Sequence, residues 1–205
     1  MKTLEIFVVE LDRLINDTID VGGKDLFIDT RFEMGEFNNR VNEAPVVCSP
    51  AKYDTGVKEG DTLYFHHHVV IQGGQKLFGE DYNDKNYICM YNPYEDSCMA
   101  NQAIAYKQKD TNDIKILGHW IILEKYYDER PETSDIIKEV HLEDQKLFKG
   151  RLAFESDASN ELGIKLGEIV AFKEGTAYPF KMEGKEYIRV PKSLVDYVQE
   201  EVHDA

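Results

Sequence analysis

One turn occurs twice in the sequence. Gly56-Val57-Lys58-Glu59-Gly60-Asp61 runs into Thr62-Leu63-Tyr64-Phe65, and Gly163-Ile164-Lys165-Leu166-Gly167-Glu168 runs into Ile169-Val170-Ala171-Phe172, 107 positions further on. The shared pattern is G-[VI]-K-x-G-[DE] followed by an apolar strand that ends in Phe. Its physics is that of a tight turn: the branched residue plugs a core, the Lys stays in water, and the second Gly takes a backbone conformation that side chains disfavour. Flanking segments repeat in the same order. Ile6-Phe7-Val8-Val9-Glu10 resembles Trp120-Ile121-Ile122-Leu123-Glu124 at an offset of 114, and Tyr87-Ile88-Cys89-Met90 resembles Tyr187-Ile188-Arg189-Val190 at an offset of 100. Offsets that change between elements place the length differences in loops, where they are tolerated. Two related domains are expected, 1–112 and 113–205, meeting near Gln108 to Asp113.

Short runs rich in β-branched and aromatic residues dominate, each bounded by Gly, Pro, Asn or Asp. Pro45-Val46-Val47-Cys48, Thr62 to Phe65, Trp120 to Leu123 and Glu186 to Val190 are typical, whereas helical periodicity is scarce, so the expected class is mainly β. Mean hydropathy is −0.49 and no apolar run approaches the ~20 residues of a membrane span, so no membrane partner is expected. The net charge of −15 disfavours nucleic acid, whose phosphates most faces would repel. Leu4 to Val9 is interrupted by Glu5 and followed by Glu10 and Asp12, unlike a secretory signal. Cys48, Cys89 and Cys98 are odd in number and form no C-x-x-C, which reads as reduced thiols in the cytoplasm.

Each half resembles the GroES-type co-chaperonins, small irregular β-barrels in which an N-terminal strand leads to a mobile loop and then to a G-V-K-x-G-D turn. The resemblance is strongest from Gly163 to Phe172, through Gly175 and Met182-Glu183-Gly184-Lys185, to Tyr187-Ile188-Arg189-Val190 and Ser193-Leu194-Val195. Cys48 to Gly56 and Phe154 to Gly163 are too short for the roof hairpin of bacterial members, so the chain looks more like the roof-less phage-encoded form, duplicated as in chloroplast members. The resemblance implies two tandem GroES-like small β-barrels, no catalytic activity and no cofactor. It also implies a GroEL-type chaperonin as partner and assembly of the chain into a homo-oligomeric ring.

In that family the mobile loop carries a short apolar anchor. The counterpart here is Gly22-Gly23 followed by Leu26-Phe27-Ile28, with Lys24-Asp25 intervening; the alternative is that Leu26 to Ile28 form an ordinary buried strand. Burying such side chains gives ~1.5–3 kcal/mol each, partly offset by loop ordering, so several loops on a ring must act together. A second anchor is sought at Ile136-Ile137, where Thr133 or Ser134 would alternatively cap a short helix. The resemblance further implies that the last strand of one barrel pairs with the first strand of the next. Ala103 to Lys107 is therefore expected to pair with Leu117 to Ile122. Ile6 and Val8 at one end and Val195 and Tyr197 at the other would be inter-subunit edges.

His66-His67-His68 raises a metal site. On a strand, only His66 and His68 would share a face, and none of Asp61, Glu80, Asp81, His119 or His141 stands at a spacing that supplies a third ligand, so no metal is expected. Gly73-Gly74 reads as a hairpin turn. Tyr82, Tyr87, Tyr91 and Tyr94 read as core and interface. An oligomeric interaction protein, such as a virion component, is the main alternative to a cap. A zinc dehydrogenase is disfavoured because no nucleotide-binding glycine fingerprint occurs.

Overall fold

The computed structural model describes residues 2–16, 18–27, 39–71, 74–77, 83–126 and 148–199. The chain is mainly β and divides into two compact units, Met1–Gly118 and His119–Ala205. The first contains β1 (Ile6–Glu10), β2 (Thr18–Asp20), β3 (Asp25–Phe27), β4 (Glu43–Cys48), β5 (Thr62–Phe65), β6 (Asn86–Met90), β7 (Ala103–Lys107) and β8 (Ile114–Ile116). The second contains β9 (Trp120–Lys125), β10 (Lys149–Leu152), the short helix α1 (Asp157–Glu161), β11 (Ile169–Phe172), β12 (Tyr178–Met182), β13 (Lys185–Pro191) and β14 (Val195–Gln199).

Each unit is built on a six-stranded antiparallel sheet. The orders are β6-β1-β4-β5-β7-β8 and β12-β13-β9-β10-β11-β14, while β2 and β3 form a separate ribbon. Placing β1 on β9, β4 on β10, β5 on β11, β6 on β13 and β7 on β14 makes the shared strands run in one order, so the repeat read from the turn extends to topology. The units differ in their remaining strand. β8 extends the first sheet beyond β7, whereas β12 extends the second beyond β13. Neither ladder closes on itself among the described residues.

The repeated turn is built alike in both units. Gly56 and Gly163 take φ of 68° and 71°, and Gly60 and Gly167 take 85° and 88°. A side chain at Gly56 would also meet the Tyr106 hydroxyl at 2.9 Å. Val57 and Ile164 are buried, as a plug requires. The Asp61 carboxylate accepts from Lys58 N–H at 2.9 Å, and that of Glu168 accepts from Lys165 N–H at 2.8 Å. The acidic position of the pattern thus satisfies backbone donors that the turn leaves unpaired. Gly60 N–H donates to Val46 O at 2.8 Å, and Gly167 N–H to Leu152 O at 3.0 Å.

The strands after the turn keep a common irregularity. β5 pairs with β7 through Leu63↔Tyr106 and Tyr64↔Ala105, then shifts to Phe65↔Ala103; β11 pairs with β14 through Val170↔Val198 and Ala171↔Tyr197, then shifts to Phe172↔Val195. In each pair one extra residue, Ile104 or Asp196, is accommodated as a bulge. The core of the first unit gathers Phe7, Val9, Leu63, Phe65, Tyr87, Cys89 and Tyr106. That of the second gathers Ile121, Leu123, Val170, Phe172, Ile188 and Val190.

These cores correct one alignment. Phe7 and Val9 correspond to Ile121 and Leu123, as an offset of 114 demands, but Tyr87 and Cys89 correspond to Ile188 and Val190, an offset of 101. Matching Tyr87 to Tyr187 slips the strand by one residue and turns every side chain to the other face. Tyr187 in fact packs edge-on against Phe154, 5.3 Å between centroids, outside that core cluster.

Two expectations about edges also change. β1 lies between β6 and β4, and Val8 is fully buried, so Ile6 and Val8 are not on an open edge. The apolar run Phe7-Val8-Val9 is buried throughout, with Phe7 and Val9 in the core cluster and Val8 fully buried between them. Of the expected partner run Leu117 to Ile122, Leu117 N–H donates to Ile104 O at 2.9 Å, but the strand that pairs along this side of Ala103 to Lys107 is β8 and not Trp120 to Ile122. The stretch expected as a domain junction forms a hairpin, with Gln108 N–H donating to Asp113 O and Asn112 at φ 63°, so the residues immediately after it meet β7 first. β9 is committed to β13 and β10.

Candidate functional site

The expected anchor lies on the β2–β3 ribbon, paired through Thr18↔Phe27, Ile19↔Leu26 and Asp20↔Asp25. Gly22 and Gly23 form its tip with φ of 63° and 81°, and Val21 N–H donates to Lys24 O at 2.9 Å. A side chain at either glycine would meet nothing, so these residues serve the turn and not a close contact. Ile15 bridges Arg40, and Asn16 N–H donates to Asn39 O at 2.6 Å, so the segment bearing the ribbon leaves and rejoins the unit at neighbouring points. Leu26 is 50% exposed and Phe27 83% exposed. Successive strand residues face opposite ways, so both faces of the ribbon present apolar surface at this end. Ile28 lies outside the described residues, as do Ile136 and Ile137.

At the end of the second sheet β14 pairs with β11 on one side and has no neighbour on the other among the described residues. Val195 is half-buried and Tyr197 is 52% exposed. The first sheet ends on β6 and β8. Lys76 bridges Tyr87, and Leu77 N–H and Ile88 N–H donate to Asn86 O and Gln75 O, covering part of β6.

A cluster of side chains at the end of β5 was only partly anticipated. β5 stops at Phe65, and His67–Val69 is a 3-10 turn, so the strand alternation used to separate the three histidines does not apply. His66 N–H donates to Gln102 O at 2.8 Å, which holds the end of β5 against the segment leading into β7. His66 Nδ1 accepts from His68 N–H at 3.2 Å, capping the turn and folding the rings together at a centroid separation of 4.3 Å. The loop between β6 and β7 turns at Ser97, whose carbonyl accepts from Ala100 and Asn101 N–H, and this turn brings Cys98 to the rings. Ligand-capable atoms of His66, His68 and Cys98 lie within 4.8 Å of one another. His68 Nδ1 is buried and has no hydrogen-bond partner among the described residues. Cys98 escaped sequence reasoning because only the β5–β7 pairing, and no spacing, brings it to the histidines.

The other thiols differ in reach. Burial pushes the Cys89 thiol far above the ordinary cysteine range, so it is inert, and Cys48 is half-buried. Tyr87 and Tyr91 belong to the core, whereas Tyr94 is exposed and meets Tyr53 edge-on at 6.2 Å. No helix among the described residues is long and apolar enough to cross a membrane. No protein-family model matches the chain, and a search of the curated proteins finds no match.

Proposed function

We propose that the protein is a co-chaperonin-like cap of two tandem GroES-like barrels, which closes a GroEL-type chaperonin ring in the cytoplasm and assists folding within it. The observation that carries this reading is the exposure of Phe27 and Leu26 on a ribbon outside both large sheets. Apolar side chains held out on a separate hairpin suit insertion into a partner's groove, and each contributes ~1.5–3 kcal/mol when buried. The duplicated turn and common strand order support descent from one barrel repeat. The outer edge of β14, unpaired among the described residues, supports assembly of several chains, which such weak single contacts need.

The test is co-sedimentation of the full chain with a chaperonin ring, with and without ATP. The chain is expected to associate, and Phe27→Ser to weaken association by roughly 10–100-fold per loop. Equal binding by Phe27→Ser, or no binding in any nucleotide state, overturns the reading. A second reading, an oligomeric interaction protein without chaperonin binding, rests on β14 alone. It is favoured if native mass shows a defined oligomer that no chaperonin retains.

A further inference from the structure

We propose that His66, His68 and Cys98 form a site for a borderline-soft divalent cation of the zinc type, with its fourth position left to water. Two imidazoles and a thiolate are the donors such ions prefer, and hard cations such as magnesium or calcium take oxygen ligands instead. The separations suit the ion. Bonds of ~2.0–2.3 Å in a tetrahedron put ligand atoms roughly 3.3–3.8 Å apart, which small side-chain rotations reach from the observed spread of up to 4.8 Å.

His68 Nδ1 supplies a second, separate observation. A buried ring nitrogen without a partner costs free energy, and ligation of the ion through this nitrogen would supply the missing partner. Ligation by His66 exchanges its 3.2 Å cap bond from His68 N–H, because an imidazole that uses one nitrogen for a metal carries its proton on the other. The exchange takes the cap acceptor from His68 N–H, a cost that the bonds to the ion must outweigh.

The ion would tie the end of β5 to the loop between β6 and β7, two segments already joined by the His66–Gln102 backbone bond. The site is private to the first unit. Residues 107 positions after His66 and His68 are Lys173 and Gly175, which offer no ligand of this kind.

The test uses the full chain, free of any histidine tag and reduced with a phosphine, titrated with Co²⁺ as a spectroscopic stand-in and with Zn²⁺ by calorimetry. One equivalent of cobalt is expected to give a thiolate-to-metal charge-transfer band that Cys98→Ser abolishes and Cys48→Ser leaves in place. His68→Ala should weaken Zn²⁺ binding by more than the ~10–100-fold that loss of a merely supporting partner costs. In the unaltered chain, Zn²⁺ should slow alkylation of Cys98 but not of Cys48, a readout that needs no variant. Cobalt bound without a thiolate band, a band retained in Cys98→Ser, or Cys98 alkylation indifferent to Zn²⁺ overturns the proposal.

Discussion

β7 and β14 hold the same place in their sheets, each paired in the same register to the strand that follows the repeated turn, yet they meet different surroundings. β7 is Ala103-Ile104-Ala105-Tyr106-Lys107 and is buried except at its last residue, because β8 folds back along its outer side. β14 is Val195-Asp196-Tyr197-Val198-Gln199, half-buried or exposed throughout, and none of the described residues pairs with its outer side. The bulged residue shows the contrast best: Ile104 is fully buried, while its counterpart Asp196 faces water. The lesson is that a common backbone frame does not dictate composition; the neighbour on the free side does.

Exchanging the two bulge residues should break the comparison most sharply. Ile104→Asp buries an unpaired charge and should cost at least ~4 kcal/mol in urea unfolding, whereas Asp196→Ile should stay within about 0.5 kcal/mol and promote self-association instead. Similar costs at both sites would mean that β14 is covered in solution.

A smaller difference is expected at the turns. The Asp61 carboxylate accepts from both Lys58 and Lys109 N–H, each at 2.9 Å, and Asp61 is only 4% exposed. Glu168 accepts only from Lys165 N–H among the turn donors described, in a bond exposed to solvent. Asp61→Ala should therefore cost about 2–3 kcal/mol and Glu168→Ala about 1 kcal/mol, measured by thermal unfolding. Equal values would show that the Lys109 bond adds nothing to the first turn.

The smallest effect concerns pH. A hydrogen bond from Lys125, aided by its charge, holds the Glu186 carboxyl below the ordinary glutamate value of 4.5. A depressed acid stabilises the fold above its unfolded value, and that contribution fades as pH falls through the folded value. Lys125→Met should therefore flatten the loss of stability below about pH 4.5 by less than ~0.5 kcal/mol, because Glu186 is 53% exposed. In the first unit Lys85 lowers Asp12 in the same direction, with acid and base exchanged between the two strand regions. A variant with unchanged acid sensitivity would remove this pair from the comparison.

The shared frame was legible because the turn needs particular residues: glycines at positive φ, a branched plug and an acid that accepts backbone bonds. The fate of the last strands was also written in their chemistry, four apolar residues in β7 against Asp and Gln in β14. Register was harder. Two tyrosines, Tyr87 and Tyr187, invited an alignment that side-chain identity favours and strand parity forbids. Partners fixed by tertiary pairing left no local trace, as with Cys98 beside the histidines. α1 is too short for periodicity, and its one sequence signal is the reciprocal cap of Ser156 and Ser159.

The extra residue retained in both last strands stands outside the alternation of its ladder. Consecutive residues Phe65 and Tyr64 face Ala103 and Ala105 across Ile104, and Phe172 and Ala171 face Val195 and Tyr197 across Asp196. Deleting the extra residue would straighten the strand while keeping Tyr106 opposite Leu63 and Val198 opposite Val170, so the surplus bends the backbone without disturbing which side chains face inward. Two segments that share almost no residues have kept this added curvature.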